Sequence, residues 1–227
     1  MSAEAKAEIL GNWDWNQDAA SAPDYSPFLA EVDPLTVIVS GSELVFAQGV
    51  ARQDSVIGSF VVSASGAASS STTLLPIVEK RGIAAAESMF DLVFSVPDLS
   101  TASLVGLVDT QAIVTGGASV PLLANELFLY DVSNDLLLFQ TLTNDEFFSW
   151  NGLLDPGIYR LFASADSFAE QWSSPLNART VVGISSYELE FTLATVPIPE
   201  SSTVFGAAAL GLICGCTWWI RRRARLD

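Results

Sequence analysis

Any chemistry in this chain would have to come from carboxylates and tryptophans. The 227 residues hold 26 Asp and Glu, 10 Lys and Arg, six Trp and no His. Without imidazole the usual general base, the usual proton shuttle and the commonest zinc ligand are missing. Asp131, Asp135, Asp145, Glu146 and Asp155 fall in one region, and acidic loops suit calcium, whose hard oxygen ligands need no histidine. The spacing Asp131-x-x-Asn134-Asp135 lacks the alternate-position pattern of an EF-hand loop. Asp131, Asp135 and Asp145 are therefore weak calcium candidates beside the simpler reading of solvated turns. Glycoside hydrolysis needs two carboxylates facing each other across a cleft, and an acidic sequence offers too many pairs to select one. Serines are abundant, but there is no Gly-x-Ser-x-Gly elbow and no histidine to activate one. The expectation is no catalytic residue, no cofactor and no enzymatic activity, with a surface hydrolase as the least favoured reading.

Tryptophans offer a different chemistry. Asn12-Trp13-Asp14-Trp15-Asn16-Gln17-Asp18 sets two indoles among amides and carboxylates, a composition that can stack on and hydrogen-bond to sugar rings. Trp150 and Trp172 are further stacking candidates. Against this, Trp13 and Trp15 at alternate positions share one face of a strand, where such a pair is more often packing than a ligand platform. Two exposed, coplanar tryptophans would favour binding, and burial of all four would favour a structural role.

The elements that must position these residues read as strands. Leu35–Val39 and Leu44–Ala47 flank the short loop Ser40-Gly41-Ser42-Glu43 as a hairpin. Val56–Val62 reads as one strand, and the Ser/Ala/Gly run from Ser63 to Ser71 as a long loop after it. Phe90, Leu92, Phe94 and Val96 alternate with Asp91 and Ser95. Tyr187, Leu189, Phe191 and Leu193 alternate with Glu188, Glu190 and Thr192, as in half-buried antiparallel strands. Leu127–Val132 and Leu136–Thr141 form a hairpin through Ser133-Asn134-Asp135. Leu154-Asp155-Pro156-Gly157 reads as a turn with Gly157 at positive φ, feeding a strand. Ile83–Met89 allows at most one or two helical turns. The fold class is thus all-β: an antiparallel, jelly-roll-like β-sandwich over residues 1–195, followed by a tail over 196–227.

That tail has three parts: a motif at 197–203, an uncharged apolar run at 204–220, and Arg221, Arg222, Arg223 and Arg225. Seventeen residues reach about 25 Å as a helix, slightly under a hydrocarbon core, and Trp218, Trp219 and snorkelling arginines supply the remainder. A single C-terminal transmembrane helix is expected, its arginines held on the cytoplasmic side, so residues 1–203 lie across the membrane from the cytoplasm. Residues 1–203 carry six basic and 25 acidic side chains, a net of −19, which makes nucleic acid a poor partner. Both cysteines, Cys214 and Cys216, lie in the apolar run, so the preceding domain has no disulfide. Gly211 and Gly215 form a Gly-x-x-x-Gly pair that would let two spans pack, although small residues also suit a processed tail. Residues 1–11 show no apolar h-region, so a leader is expected upstream of Met1.

The order of these parts resembles the PEP-CTERM sorting signal of bacterial exported proteins. Ile198, Pro199, Glu200, Ser202 and Thr203 match the family's usual Val-Pro-Glu-Pro-Ser-Thr motif, and Ser201 replaces its second proline. The resemblance implies a sorting motif at Pro199, Glu200, Ser201, Ser202 and Thr203, anchoring in the inner membrane and cleavage by an exosortase. Delivery to the cell surface or the exopolysaccharide matrix of a biofilm would follow. The strands at 90–94, 154–161 and 187–193 also look like the β-sandwich ectodomains that precede this signal. The functional expectation is a structural or adhesive surface protein; the alternative is a carbohydrate-binding module that uses exposed tryptophans, with exopolysaccharide as its partner.

Overall fold

Alternation of inward and outward side chains runs through many of the extended segments, and among the described residues the computed structural model has thirteen strands. The described residues are 2–9, 12–21, 27–40, 43–75, 80–141, 146–172 and 178–196. In chain order the strands are β1 Ser2–Ile9, β2 Asn12–Ala19, β3 Phe28–Val32, β4 Leu35–Ser40, β5 Glu43–Ile57, β6 Val61–Leu74, β7 Lys80–Val96, β8 Ser100–Thr115, β9 Leu122–Asp131, β10 Leu136–Thr141, β11 Glu146–Leu154, β12 Gly157–Trp172 and β13 Arg179–Thr195. They form two antiparallel sheets. Sheet A has the order β10-β9-β12-β7-β1-β2, and sheet B the order β11-β8-β13-β6-β5-β3, with β4 also paired to β5. The chain crosses between sheets at β2–β3, β6–β7, β7–β8, β8–β9, β10–β11, β11–β12 and β12–β13. The architecture is all-β and sandwich-like.

Two compact units divide at 194/195, Met1–Ala194 and Thr195–Asp227. Only Thr195 and Val196 of the second are described, so the sorting motif, the apolar run 204–220 and the arginine cluster lie outside the described residues. No helix among the described residues is long and apolar enough to cross a membrane.

The interior has two contrasting halves. At one end Phe90, Leu92, Leu104, Leu127, Leu129, Phe148, Tyr159, Leu161, Leu189 and Phe191 are buried between the sheets. Phe94 packs on Tyr159 and Phe191, with ring centroids at 5.8 and 5.3 Å. Burial of each large side chain contributes roughly 1.5–3 kcal/mol. At the other end the facing residues are small: Ala64, Gly66, Ala68, Ser70 and Thr72 of β6 oppose Ala84, Ala86 and Ser88 of β7 and Ala165, Ser167 and Ala169 of β12. Serine side chains bridge the sheets there. Ser70 and Ser167 hydroxyls lie 2.7 Å apart, Ser167 also donates to the Gly183 carbonyl at 3.0 Å, and Ser88 donates to the Arg52 carbonyl at 2.8 Å. Ser185 donates to the Ala124 carbonyl at 2.9 Å, and the Asn125 amide to the Asp109 carbonyl at 3.1 Å. A Cβ on Gly66 would collide with Ser88 Oγ and the Tyr187 ring, so glycine is what lets these strands approach.

This seam corrects the reading of Ser63–Ser71 as a loop. The run is the middle of β6, paired on both sides by β13 and β5, and its inward positions are small because the opposite sheet is close. Ile83–Met89 likewise is not helical; Gly82 to Glu87 pair with both β1 and β12. Val56–Val62 is the end of β5, a turn at Gly58–Phe60 and the start of β6, closed by the Gly58 N–H on the Val61 carbonyl at 2.8 Å. The turn at Asp155-Pro156 is present, but Gly157 does not have positive φ: it already pairs with Val96 as the first residue of β12. The hairpins at 35–47 and 127–141 are as expected, the second through a turn in which Asp135 takes φ 55°. Aspartate tolerates this left-handed conformation better than most side chains.

Candidate functional site

One corner of sheet A gathers the polar and aromatic groups that stand out. Trp172, at the end of β12, is 58% exposed, and the Arg81 guanidinium from β7 lies 4.7 Å from its ring centroid. Arg81 Nε donates to Glu170 Oε1 at 2.8 Å, and Trp172 Nε1 donates to the same oxygen at 3.0 Å. One carboxylate oxygen thus fixes both the cation and the indole, because residues 170 and 172 share the outward face of β12 and Arg81 stands directly opposite Trp172 in the register. The same cross-strand row continues through Glu8 of β1 to Trp13 of β2, and the neighbouring row runs from Glu170 through Ile83 and Lys6 to Trp15. Three strand spacings of roughly 4.8 Å place the Trp172 and Trp13 backbones about 14 Å apart. The side chains of Trp13 and Trp15 lie outside the description.

Trp150 is elsewhere. It sits on the inward row of β11 in sheet B, half-buried against the core, where Gly152 leaves room for its ring. Of the four tryptophans, the described side chains of Trp150 and Trp172 therefore lie on different sheets and form no common platform.

The calcium candidates form a turn. Asp131 is buried, its carboxylate accepting from the Asn134 backbone N–H at 3.0 Å and the Asn134 side-chain amide at 2.8 Å, and Asp135 accepts from the Tyr130 hydroxyl. The Tyr130 phenol is held above its usual pKa first by that hydrogen bond and then by burial. Asp131 and Asp135 are thus committed to closing the β9–β10 hairpin, and Asp145 lies outside the described residues. Among the described residues no group of three or more acidic or thiol side chains is placed to hold a metal ion.

A carboxylate pair that the sequence gave no means of choosing lies in the middle of sheet A. Asp166 of β12 stands directly opposite Glu87 of β7, in an open trough of about 480 Å³ lined also by Gln17, Leu122 and Phe168. Burial, then the Glu87 charge, pushes the Asp166 carboxyl above the ordinary carboxylate range, against a lowering hydrogen bond from Ser164. Adjacent like charges of this kind favour taking up a proton or a cation. Next to it, Phe128 and Phe162 stack at 4.9 Å beneath Arg160, which forms a two-pronged ion pair with Asp91 at 2.8 Å for both contacts. Neither carboxylate contact has a sequence signature, since Asp166–Glu87 and Arg160–Asp91 each join residues about 70–80 positions apart across β7 and β12.

No protein-family model matches the chain, and no curated protein matches it. Among solved structures it is similar to infectious bursal disease virus Gx strain, at 9% identity over 92% of this chain and 71% of that chain, with a TM-score of 0.20. It is also similar to the VP2 subviral particle of infectious bursal disease virus, at 10% identity over 88% and 66%, with a TM-score of 0.21. Superpositions this loose carry no argument about fold or function.

Proposed function

We propose that this chain is an exported bacterial surface or matrix protein, anchored through its C-terminal tail and cut by an exosortase, whose sandwich has a structural or adhesive role. The observation that carries the reading is the order of parts in the tail, Pro197 to Thr203, the apolar run and the terminal arginines, with its resemblance to a PEP-CTERM signal. The sandwich fits this role. Strands β6 to β13 run in the orders β6-β13-β8-β11 and β7-β12-β9-β10, and we read this wiring as a jelly roll, a double-sheet solution that limits exposed edges. Fold alone names no activity.

Pro197 and Pro199 lack backbone donors and disfavour helix at their neighbours, which suits cleavage near Glu200 by a membrane protease. The intact mass of the protein recovered from the native envelope tests the reading. A chain shortened near Glu200 to Thr203 is expected; full-length chain from cells with an active exosortase would sink it.

A second reading, binding of an exopolysaccharide, is favoured by one observation, the exposed Trp172 with its indole N–H held by Glu170. Co-sedimentation with the cells' own exopolysaccharide should weaken on Trp172→Ala. Unchanged co-sedimentation would leave the structural role alone.

A further inference from the structure

Among the described residues the two sheets have four edges, and three are blunted in ways that discourage pairing with another chain. β10 is six residues long and its register slips between Leu137 and Phe139; β2 carries Asp14 and Asp18; β3 and β4 share one edge, interrupted by Glu31, Asp33 and Pro34. Short strands, bulges, charges and prolines are the usual protections of an edge. The fourth edge, β11, has neither a bulge nor a proline, and its one charge, Glu146, stands at its first position. It is nine residues long, paired to β8 without a break over its whole length, and has no further strand on its other side among the described residues. From Phe147 to Leu154 it holds no charged residue and no proline, in a chain whose net charge is −16.

Its outward row is Phe147, Ser149, Asn151 and Leu153, of which Phe147 is 70% and Leu153 64% exposed. Leu107, opposite Phe147 on β8, extends the apolar surface inward from the edge. This row is complementary to itself. If two copies of β11 pair antiparallel about a two-fold axis through Trp150, Phe147 of each copy stands opposite Leu153 of the other, and Ser149 opposite Asn151. The two half-buried Trp150 residues then meet at the axis, and Phe148 faces Gly152. Both exposed apolar side chains are thereby covered, and no charge is placed against a like charge within the eight residues.

We propose that β11 is a self-association edge, at which two copies of this chain join their seven-stranded sheets into one continuous sheet. The charge pattern supports a copy as the occupant: two chains this acidic repel each other over most of their surface and can approach closely where the edge is neutral. A closed two-fold pairing uses the same patch on both copies, which is the commonest form of association. Nine paired residues with two Phe147–Leu153 contacts bury less than the ~1,200 Å² of a standard interface, so the dimer is weak and forms as concentration rises. The inference is independent of export and of cleavage of the tail.

The test uses the full chain in detergent micelles, with Cys214 and Cys216 replaced by alanine. S149C protein mixed with N151C protein should form a disulfide-linked dimer under mild oxidation, and either variant alone should form far less, because the register sets residue 149 against 151 and neither against itself. S149K/N151K, which places lysine against lysine twice, should weaken the dimer by about tenfold or more in sedimentation equilibrium without changing the thermal unfolding midpoint. Equal cross-linking of the mixed and single variants would overturn the proposal, since it would report contact without this register. So would a dimer indifferent to S149K/N151K, which would place association elsewhere, as through the tail glycines. A chain that stays monomeric yet binds a peptide of residues 146–154 from solution would also overturn it, as an edge that accepts a strand but not a copy.

Discussion

Removing the Ser167 hydroxyl tests whether short hydrogen-bonded side chains hold the small-residue half of the sandwich together. Ser167 is buried, lies 2.7 Å from the Ser70 hydroxyl of the opposite sheet and donates to the Gly183 carbonyl at 3.0 Å. Ser167→Ala strips both contacts at once. It leaves the Ser70 hydroxyl and the Gly183 carbonyl in a space closed to water, and an unsatisfied buried group costs about 1–3 kcal/mol. For a domain near 195 residues each kcal/mol is worth ~2–4 °C in the unfolding midpoint, so the variant should melt several degrees lower. Ser70→Ala alone should cost less, because Ser167 keeps its carbonyl acceptor. The double variant should cost less than the sum, because neither hydroxyl is then left facing an empty partner, with a coupling of about 0.5 kcal/mol or more. Urea unfolding of the four proteins measures the cycle. Additive costs, or a Ser167→Ala change within about 0.5 kcal/mol of zero, would show that the seam is held by packing of the alanines and glycines instead.

Three further outcomes follow from the outer face of sheet A and the seam. Asp166 has its pKa raised by burial and by Glu87, so the folded chain binds this proton more tightly than the unfolded chain, and stability is lost as pH rises from the ordinary carboxylate range through the raised value. Asp166→Asn should therefore be more stable than the native chain at pH 7 by a few tenths to about 1 kcal/mol, with the gap narrowing below about pH 4, as read from urea midpoints at both pH values. The Arg160–Asp91 pair is more than a third exposed, so Arg160→Met, which keeps a long stem over Phe128 and Phe162, should cost under about 1 kcal/mol; Arg160→Ala should cost more in the same thermal melts. Gly66→Ala should destabilise by roughly 1–3 kcal/mol, because its Cβ meets Ser88 and Tyr187, and calorimetry would show it as a lowered midpoint.

The sequence revealed several of the strands whose inward residues are large, although not β8 or β11, whose inward rows hold Leu104, Val108, Phe148 and Leu154. Phe90 to Val96 and Tyr187 to Leu193 alternate in hydropathy because their inward side chains fill the wide half of the core, and both are central strands. The same alternation exists in β6, whose inward side chains from Val62 to Leu74 are all buried, but there it alternates serine, alanine and glycine with serine and alanine. Hydropathy has no contrast to show in such a run, and composition then favours a linker. The information that decides it, the closeness of β7 and β12 on the facing sheet, is tertiary. Gly157 failed for a related reason: Pro-Gly suggests positive φ, but the pairing with Val96 demands extended backbone, which glycine also adopts.

The site was legible only in residue type. Exposed indole and abundant carboxylate were visible as chemistry, yet which of them meet is set by strand register, and a slip of one residue would move each to the opposite face. Register brings Glu170 and Trp172 to Arg81, some 90 positions earlier, and turns Trp150 inward on the other sheet. It also sets Asp166 against Glu87, where like charges on adjacent strands cost stability unless a proton or cation relieves them. Among the described side chains, sheet A thus presents one oriented tryptophan and one carboxylate pair of like charge on its outer face. The structural role asks nothing of either. The two differ in what they predict for sugar binding, since Trp172→Ala should weaken it through lost stacking, whereas Asp166→Asn, three rows away, should leave it unchanged while stabilising the fold.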